Sequence, residues 1–319
     1  MPLLDMPLDQ LRTYAGRNPK PDDFDAFWDR TLAELGGIAP DVELRPADFQ
    51  TPNAECFDLY FTGLGGARVH AKLLVPRTPA ARPHPAMVHF HGYTMRSSDW
   101  SDYLGWVGLG FTVAALDCRG QAGRSQDTVV TTGPTQSGHI IRGLSDGPDH
   151  LYYRHVFTDC ARLAQLVIDR PEVDGTQVIA TGGSQGGALA MVCAALEPRV
   201  AKCAPLHPFL SDYQRVWEMD LDVHAYDELR RYFRHFDPTH AREAEIFYRL
   251  GYIDIQHLAP RIEARLLMGL GLMDNITPPS TCFAAYNRVR SEKEIVIYPD
   301  FGHEGLPGFS DRIFQFALS

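Results

Sequence analysis

From residue 86 onward, short apolar runs alternate with longer segments of helical periodicity, and few architectures tolerate that alternation. "AMVHFHG" (86–92), "FTVAALD" (111–117), "TQVIATGG" (176–183), "VAKCAPL" (200–206), "ARLLMGLGLMD" (264–274) and "KEIVIYP" (293–299) are the short runs. The first two are short apolar runs ending in polar or glycine residues, as strands buried on both faces do, and the other four read as further strands. Between them fall "YYRHVFTDCARLAQLVIDR" (152–170), "SQGGALAMVCAALEP" (184–198), "PPSTCFAAYNRVR" (278–290) and "FSDRIFQFAL" (309–318). The first reads as a long amphipathic helix stopped by Pro171. Strands and helices in this order predict a mostly parallel sheet with helices on both faces, an α/β fold.

Two regions depart from the pattern. Residues 1–36 read as a helical lead-in, with Phe24, Phe27, Trp28, Leu32 and Leu35 at helical spacing and Asp22 or Asp23 placed to cap the start. "ECFDLYFTG" and "ARVHAKLLVP" then predict a hairpin across a glycine-bearing turn. Residues 209–257 interrupt the alternation with a helical stretch in which Trp217, Tyr226, Tyr232, Phe233 and Phe236 are mixed with charges. This reads as an insertion over one end of the sheet: a lid or subunit contact, or a simple surface helix. The whole chain, 1–319, is read as one domain.

The net charge of −10 opposes binding to nucleic acid or an anionic membrane, both of which reward a basic face. The amino terminus lacks a basic segment followed by an apolar run, and no stretch approaches the roughly 18 apolar residues of a membrane span. The six cysteines are scattered without a C-x-x-C pair, so they read as small buried hydrophobes in a reducing compartment. The expectation is a cytoplasmic protein.

Ser184 follows "QVIATGG" and opens a helix. A serine between glycines in a strand–turn–helix is either a tight bend or a turn that presents a nucleophile. A nucleophile there needs neighbours nearly free of side chains, and Gly182, Gly183, Gly186 and Gly187 meet that need. A serine hydroxyl also needs a base, usually histidine, and the base needs an orienting acid. His303 lies in a glycine-flanked loop after the last strand, where it can swing over the sheet end. Asp274 closes the preceding strand, in "LMDNITPP". Asp300 and Glu304 compete by proximity, but they share the His303 loop and reach the wrong side of its ring. For an oxyanion, the amide of Gln185, just after the serine, and that of Tyr93, in "FHGY" after an earlier strand, are the candidate donors. Arg119 in "DCRGQAGRSQD" either braces neighbouring loops through its fork of donors or lies on the surface.

"FHGY" (90–93), "DCRGQAGRSQD" (117–127), "GGSQGG" (182–187), "HPFLSDYQR" (207–215), "LMDNITPP" (272–279), "YPDFGHEG" (298–305) and the amino-terminal "PDDFDAFWD" together resemble the acetyl xylan esterase/cephalosporin C deacetylase family, carbohydrate esterase family 7. The resemblance covers essentially the whole chain. It implies an α/β-hydrolase fold, a Ser184–Asp274–His303 triad, and oxyanion amides from Tyr93 and Gln185. It also implies a structural role for Arg119, Gly120 and Gln121, and a cytoplasmic homo-hexamer with active sites facing an interior cavity. The implied reaction removes acetyl groups from small soluble esters, such as acetylated xylo-oligosaccharides and cephalosporin C, without metal or cofactor. A broader carboxylesterase or other hydrolase of this fold, and a catalytically inactive scaffold acting as an interaction module, are the alternatives. A metal hydrolase lacks the H-E-x-x-H spacing.

Overall fold

A computed structural model describes residues 4–78, 83–133 and 138–319. The first three residues of the 1–36 lead-in lie outside them. Among the described residues nine strands form one sheet: β1 Glu43–Pro46, β2 Ala54–Thr62, β3 Arg68–Pro76, β4 His84–Phe90, β5 Thr112–Leu116, β6 Val173–Gly183, β7 Lys202–Leu206, β8 Arg265–Gly271 and β9 Lys293–Tyr298. Their order is β1-β2-β3-β5-β4-β6-β7-β8-β9. The hairpin β2–β3 and the pairings β1–β2 and β3–β5 are antiparallel; from β5 to β9 every neighbouring pair is parallel.

The parallel strands are apolar because helices cover both faces. Met87, Val88, Phe90, Val113, Ala114 and Ala115 have no exposed surface. The chain runs from β4 to β5 on one side and then to β6 on the other, so the strand order reverses at β4. A crevice opens outside the carboxyl ends of strands at such a reversal. The loops after β4, β5, β6, β7, β8 and β9 all gather at that end.

Three local expectations are corrected. Strand β1 was not anticipated, because its four residues are mostly exposed and carry no alternation. Asp23 precedes the Phe24–Gly36 helix but makes no cap bond with its side chain. Its carboxylate accepts a hydrogen bond from the Tyr252 hydroxyl instead. The helix at Tyr152–Ile168 is buried on nearly every side, with only Gln165 and Leu166 partly exposed: Arg154, His155, Asp159 and Arg162 are buried with its other apolar residues. The lead-in helix covers it, with Trp28 stacked on Phe157 at 5.7 Å and Arg154 bonded to Thr31 and Glu34. Its polar residues therefore face protein partners, which an amphipathic pattern cannot distinguish from water.

The 209–257 stretch contains helices at Tyr213–Glu218, Asp227–Phe236 and Glu243–Leu250 and adds no strand to the sheet. Of its aromatics, Tyr226, Tyr232 and Phe233 are buried, whereas Phe236 stays exposed. Trp217 packs on Phe233 at 4.7 Å, and Tyr226 packs on Phe209 at 4.5 Å. Phe209 in turn meets Tyr93 at 5.6 Å. The insertion therefore reaches the loop after β4 through a chain of rings. No helix among the described residues is long and apolar enough to cross a membrane.

Candidate active site

Ser184 joins β6 to the Gln185–Leu196 helix with φ 57° and ψ −119°. A non-glycine residue held there is strained, and strain of this kind concentrates at functional turns. The surroundings hold it in place. The Ser184 N–H donates to the Leu206 carbonyl at 2.9 Å, and its own carbonyl accepts from Ala188 and Phe209 at 3.1 Å each. The strain is thus offset by bonds to β7 and to the chain beyond it.

The flanking glycines divide into two kinds. A Cβ at Gly186 would sit 2.0 Å from the Phe90 carbonyl oxygen, and one at Gly182 would sit 2.4 Å from the same atom. At Gly187 it would meet the Leu206 oxygen at 2.6 Å. These three let the turn press against β4 and β7. Gly183 differs: its nearest neighbour would be the Leu206 side chain at 3.8 Å, ordinary contact distance. The expectation that all four must lack side chains is corrected at that position.

Asp274 and His303 are brought together from the ends of β8 and β9. His303 Nδ1 lies 2.8 Å from Asp274 Oδ2. An ionised carboxylate only accepts, so Nδ1 carries the proton and Nε2 is left with a lone pair. The other Asp274 oxygen accepts from the amides of Ile276 at 2.9 Å and Thr277 at 2.8 Å. The Thr277 hydroxyl donates to Oδ2 at 2.9 Å and lies 3.3 Å from His303 Nδ1. Burial pushes the Asp274 carboxyl up, yet the bond and charge of His303 and the two amides outweigh it and hold it below its ordinary value. The rival acids are elsewhere: Asp300 is exposed, and Glu304 accepts from the Gly302 amide at 3.1 Å.

Two neighbours in this cluster were missed. Thr277 had a signal, since a threonine three residues after an aspartate commonly closes a turn on it. His207 follows β7, and its ring lies on that of His303 with centroids 4.5 Å apart. Burial, and then the proximity of His303, push the His207 imidazole down to about 4. Thirteen histidines in the sequence hid it. Its position directly after a strand, at the same sheet end, was the usable cue.

Tyr93 and Gln185 flank the serine from β4 and from the helix start. Among the described residues neither backbone N–H donates to any protein acceptor outside regular helix and strand bonding. The Tyr93 ring sits between Phe209 and His139, at 5.6 and 5.2 Å. The Gln185 side chain is buried and holds several loops at once. Its Oε1 accepts from Tyr153 and Gln121 at 2.8 Å each, and its Nε2 donates to Gln121 Oε1 at 3.2 Å and the His91 carbonyl at 3.3 Å.

Gln121 belongs to the Arg119-Gly120-Gln121 run after β5. Arg119 is entirely buried: Nε and Nη2 reach the two Asp159 oxygens at 2.7 Å, and Nη1 reaches the Leu64 carbonyl at 3.0 Å. The surface alternative for Arg119 is therefore corrected. Gly120 has φ 66°, a left-handed turn conformation that glycine adopts without strain. Tyr152, whose hydroxyl bonds both the Arg119 carbonyl and Gln121, ties this run to the buried helix.

Comparison with known proteins gives the family. The model of the acetyl xylan esterase (AXE1) family matches residues 1–319. Acetyl xylan esterase 1 from Thermoanaerobacterium sp. JW/SL YS485 is 54% identical, with a TM-score of 0.97 over 99% of each chain. The acetyl xylan esterase from Paenibacillus sp. R4 is 34% identical, with a TM-score of 0.93 over 98% of this chain and 99% of its own. Acetyl esterase Axe7A from Xylanibacter ruminicola is 29% identical over 287 residues, 88% of this chain. This chain spans only 62% of that relative's length. The parallel sheet, the strained serine turn and these matches together place the chain in the acetyl xylan esterase family, a family of carboxylic ester hydrolases with the α/β-hydrolase fold.

Proposed function

We propose that this protein is a serine esterase that removes acetyl groups from small acetylated substrates through an acetyl-enzyme. The observation that carries this reading is the strained Ser184 turn at the same sheet end as the His303–Asp274 pair. His303 Nε2 takes the proton from Ser184 Oγ as that oxygen attacks the acetyl carbonyl. Asp274 holds the imidazole in the required tautomer and stabilises its charged form. Backbone amides of Tyr93 and Gln185 receive the oxyanion, which strengthens as the tetrahedral intermediate forms. The imidazolium then protonates the leaving alcohol, and water repeats the steps to release acetate.

Arg119, Gly120 and Gln121 act at one remove: they fix Gln185 and thereby the start of the helix that carries its amide. Preference for acetyl over longer acyl groups is supported by the names of the relatives, two acetyl xylan esterases and an acetyl esterase. The relatives' names support xylan-derived acetyl esters, and the same chemistry extends to cephalosporin C. Six buried, unpaired cysteines support a reducing, cytoplasmic setting. Homo-oligomerisation, as a hexamer, belongs to the same proposal and rests on the family resemblance.

Acetate release from acetylated xylo-oligosaccharide, cephalosporin C and nitrophenyl acetate tests it. Ser184→Ala should lower kcat by about 10⁶-fold, as loss of a triad nucleophile does. Unchanged release in that variant defeats the serine mechanism. Equal turnover of nitrophenyl acetate and octanoate defeats the acetyl preference and favours a broader carboxylesterase.

A further inference from the structure

His207 has no assigned task, yet its environment is unusual. The side chain is buried, with 5% of its surface exposed, and its Nδ1 has no hydrogen-bond partner among the described residues. An imidazole nitrogen buried without a partner is costly and calls for an explanation. That nitrogen lies 3.9 Å from Asp274 Oδ2, which in turn lies 2.8 Å from His303 Nδ1. The ligand-capable atoms of His207, Asp274 and His303 all fall within 4.8 Å of one another.

We propose that these three side chains form a binding site for a divalent transition-metal cation of the zinc type, and that occupancy switches the esterase off. Two imidazoles and one carboxylate are a donor set that zinc favours. Zinc bound at about 2.0–2.2 Å to tetrahedral nitrogen and oxygen ligands spaces them about 3.3–3.5 Å apart. The two separations above bracket that spacing. Closing the site requires His303 to yield slightly and His207 to approach, and His303 sits on a loop with part of its ring exposed. A water completes the fourth position.

The inhibitory consequence rests on the serine mechanism proposed above, whereas the binding does not. The metal accepts the lone pair of His303 Nδ1, so the proton there moves to Nε2. No electrons are transferred, and a neutral His303 neither gains nor loses a proton. The hydrogen bond from Nδ1 to Asp274 is replaced by two dative bonds to the metal, with a third from His207. Nε2, now protonated, has no lone pair with which to take the Ser184 proton. The site thus competes with the triad for the same two residues and uses His207 as its third ligand.

Titration calorimetry of the full chain with Zn²⁺ tests this, alongside the visible absorption of bound Co²⁺ and esterase rates before and after EDTA. The expected result is one Zn²⁺ per chain, tetrahedral Co²⁺ bands, and loss of activity that EDTA reverses. His207→Phe keeps the ring packing on His303, and His207→Asn suits the positive φ of 30° at this position. Both should weaken Zn²⁺ by at least about 10–100-fold, the loss that removing even an outer-shell partner of a metal ligand causes. Circular dichroism identifies a variant that fails to fold, and the other then carries the comparison. Ser184→Ala retains all three ligands and should bind Zn²⁺ as tightly as the parent. If Ser184→Ala stays active while Zn²⁺ binding depends on His207, the serine mechanism fails and the metal site stands. Absence of saturable binding, or binding equally tight in folded His207→Phe or His207→Asn, overturns the site.

Discussion

Arg119 and Asp159 face each other as a two-bond ion pair closed to water: Nε to Oδ2 and Nη2 to Oδ1, each 2.7 Å, with neither side chain exposed. Removing one partner leaves a buried charge uncompensated. Arg119→Ala should therefore cost about 3–5 kcal/mol of unfolding free energy, read from urea melts. Arg119→Ala with Asp159→Ala together should cost clearly less than the sum of the single changes, because the uncompensated charge is gone. Additive losses would mean that the pair is not coupled.

The glycines around Ser184 offer a sharper comparison. Gly186→Ala forces a methyl to 2.0 Å from the Phe90 carbonyl oxygen, backbone that cannot move without shifting β4. It should abolish both folding yield and activity. Gly183→Ala meets nothing nearer than 3.8 Å and should keep its melting temperature and most of its activity. Similar outcomes for the two, judged by thermal melts and acetate release, would contradict the packing account.

Thr277 tests the orientation of the acid–base pair. Its hydroxyl donates to Asp274 Oδ2 at 2.9 Å, the oxygen that faces His303. Thr277→Val removes that donor at nearly constant volume and leaves the two amide bonds to the other oxygen in place. A lost bond to a charged group is worth about 1.5 kcal/mol, which corresponds to roughly a tenfold fall in kcat. KM for nitrophenyl acetate should change little, because the Thr277 side chain is fully buried behind Asp274. An increase confined to KM would place Thr277 in substrate binding instead.

Glu228 gives stability a pH dependence. Its carboxyl is buried in the Asp227–Phe236 helix, where one oxygen accepts from the Ile140 and Ile141 amides. The other oxygen has no hydrogen-bond partner among the described residues. Burial pushes its pKa well above the ordinary 4.5, against the opposing pull of those amides and the Arg231 charge. A carboxyl raised in the folded state contributes its stability fully below the unfolded value and loses it as pH rises. The unfolding free energy of the parent, minus that of Glu228→Gln, should therefore be flat below pH 4.5 and decline above it. Urea melts at stepped pH values read this directly, and a difference that rises with pH would reverse the assignment.

The strand and helix alternation, the Ser184 turn and the Asp274 and His303 loops were legible along the chain because each depends on local pattern. A buried parallel strand must be apolar, a tight turn must be glycine-rich, and the functional loops of such a sheet follow its strands. Residues whose meaning depends on a distant neighbour were not legible. Arg119 looks the same in sequence whether it meets water or Asp159. The charged residues of the Tyr152–Ile168 helix suggested a solvent face until the lead-in helix was seen to cover them. Gly183 and Gly186 are indistinguishable as letters, and only the approach of the Phe90 carbonyl separates them. His207 acquires its role from a ring 96 positions away in the chain, placed against it by the adjacency of β7, β8 and β9. Periodicity and turn chemistry are properties of neighbours in sequence, so the chain alone determined the elements and the loops that carry the chemistry. Which side chains meet, and which atoms they leave unpartnered, was decided by the sheet order.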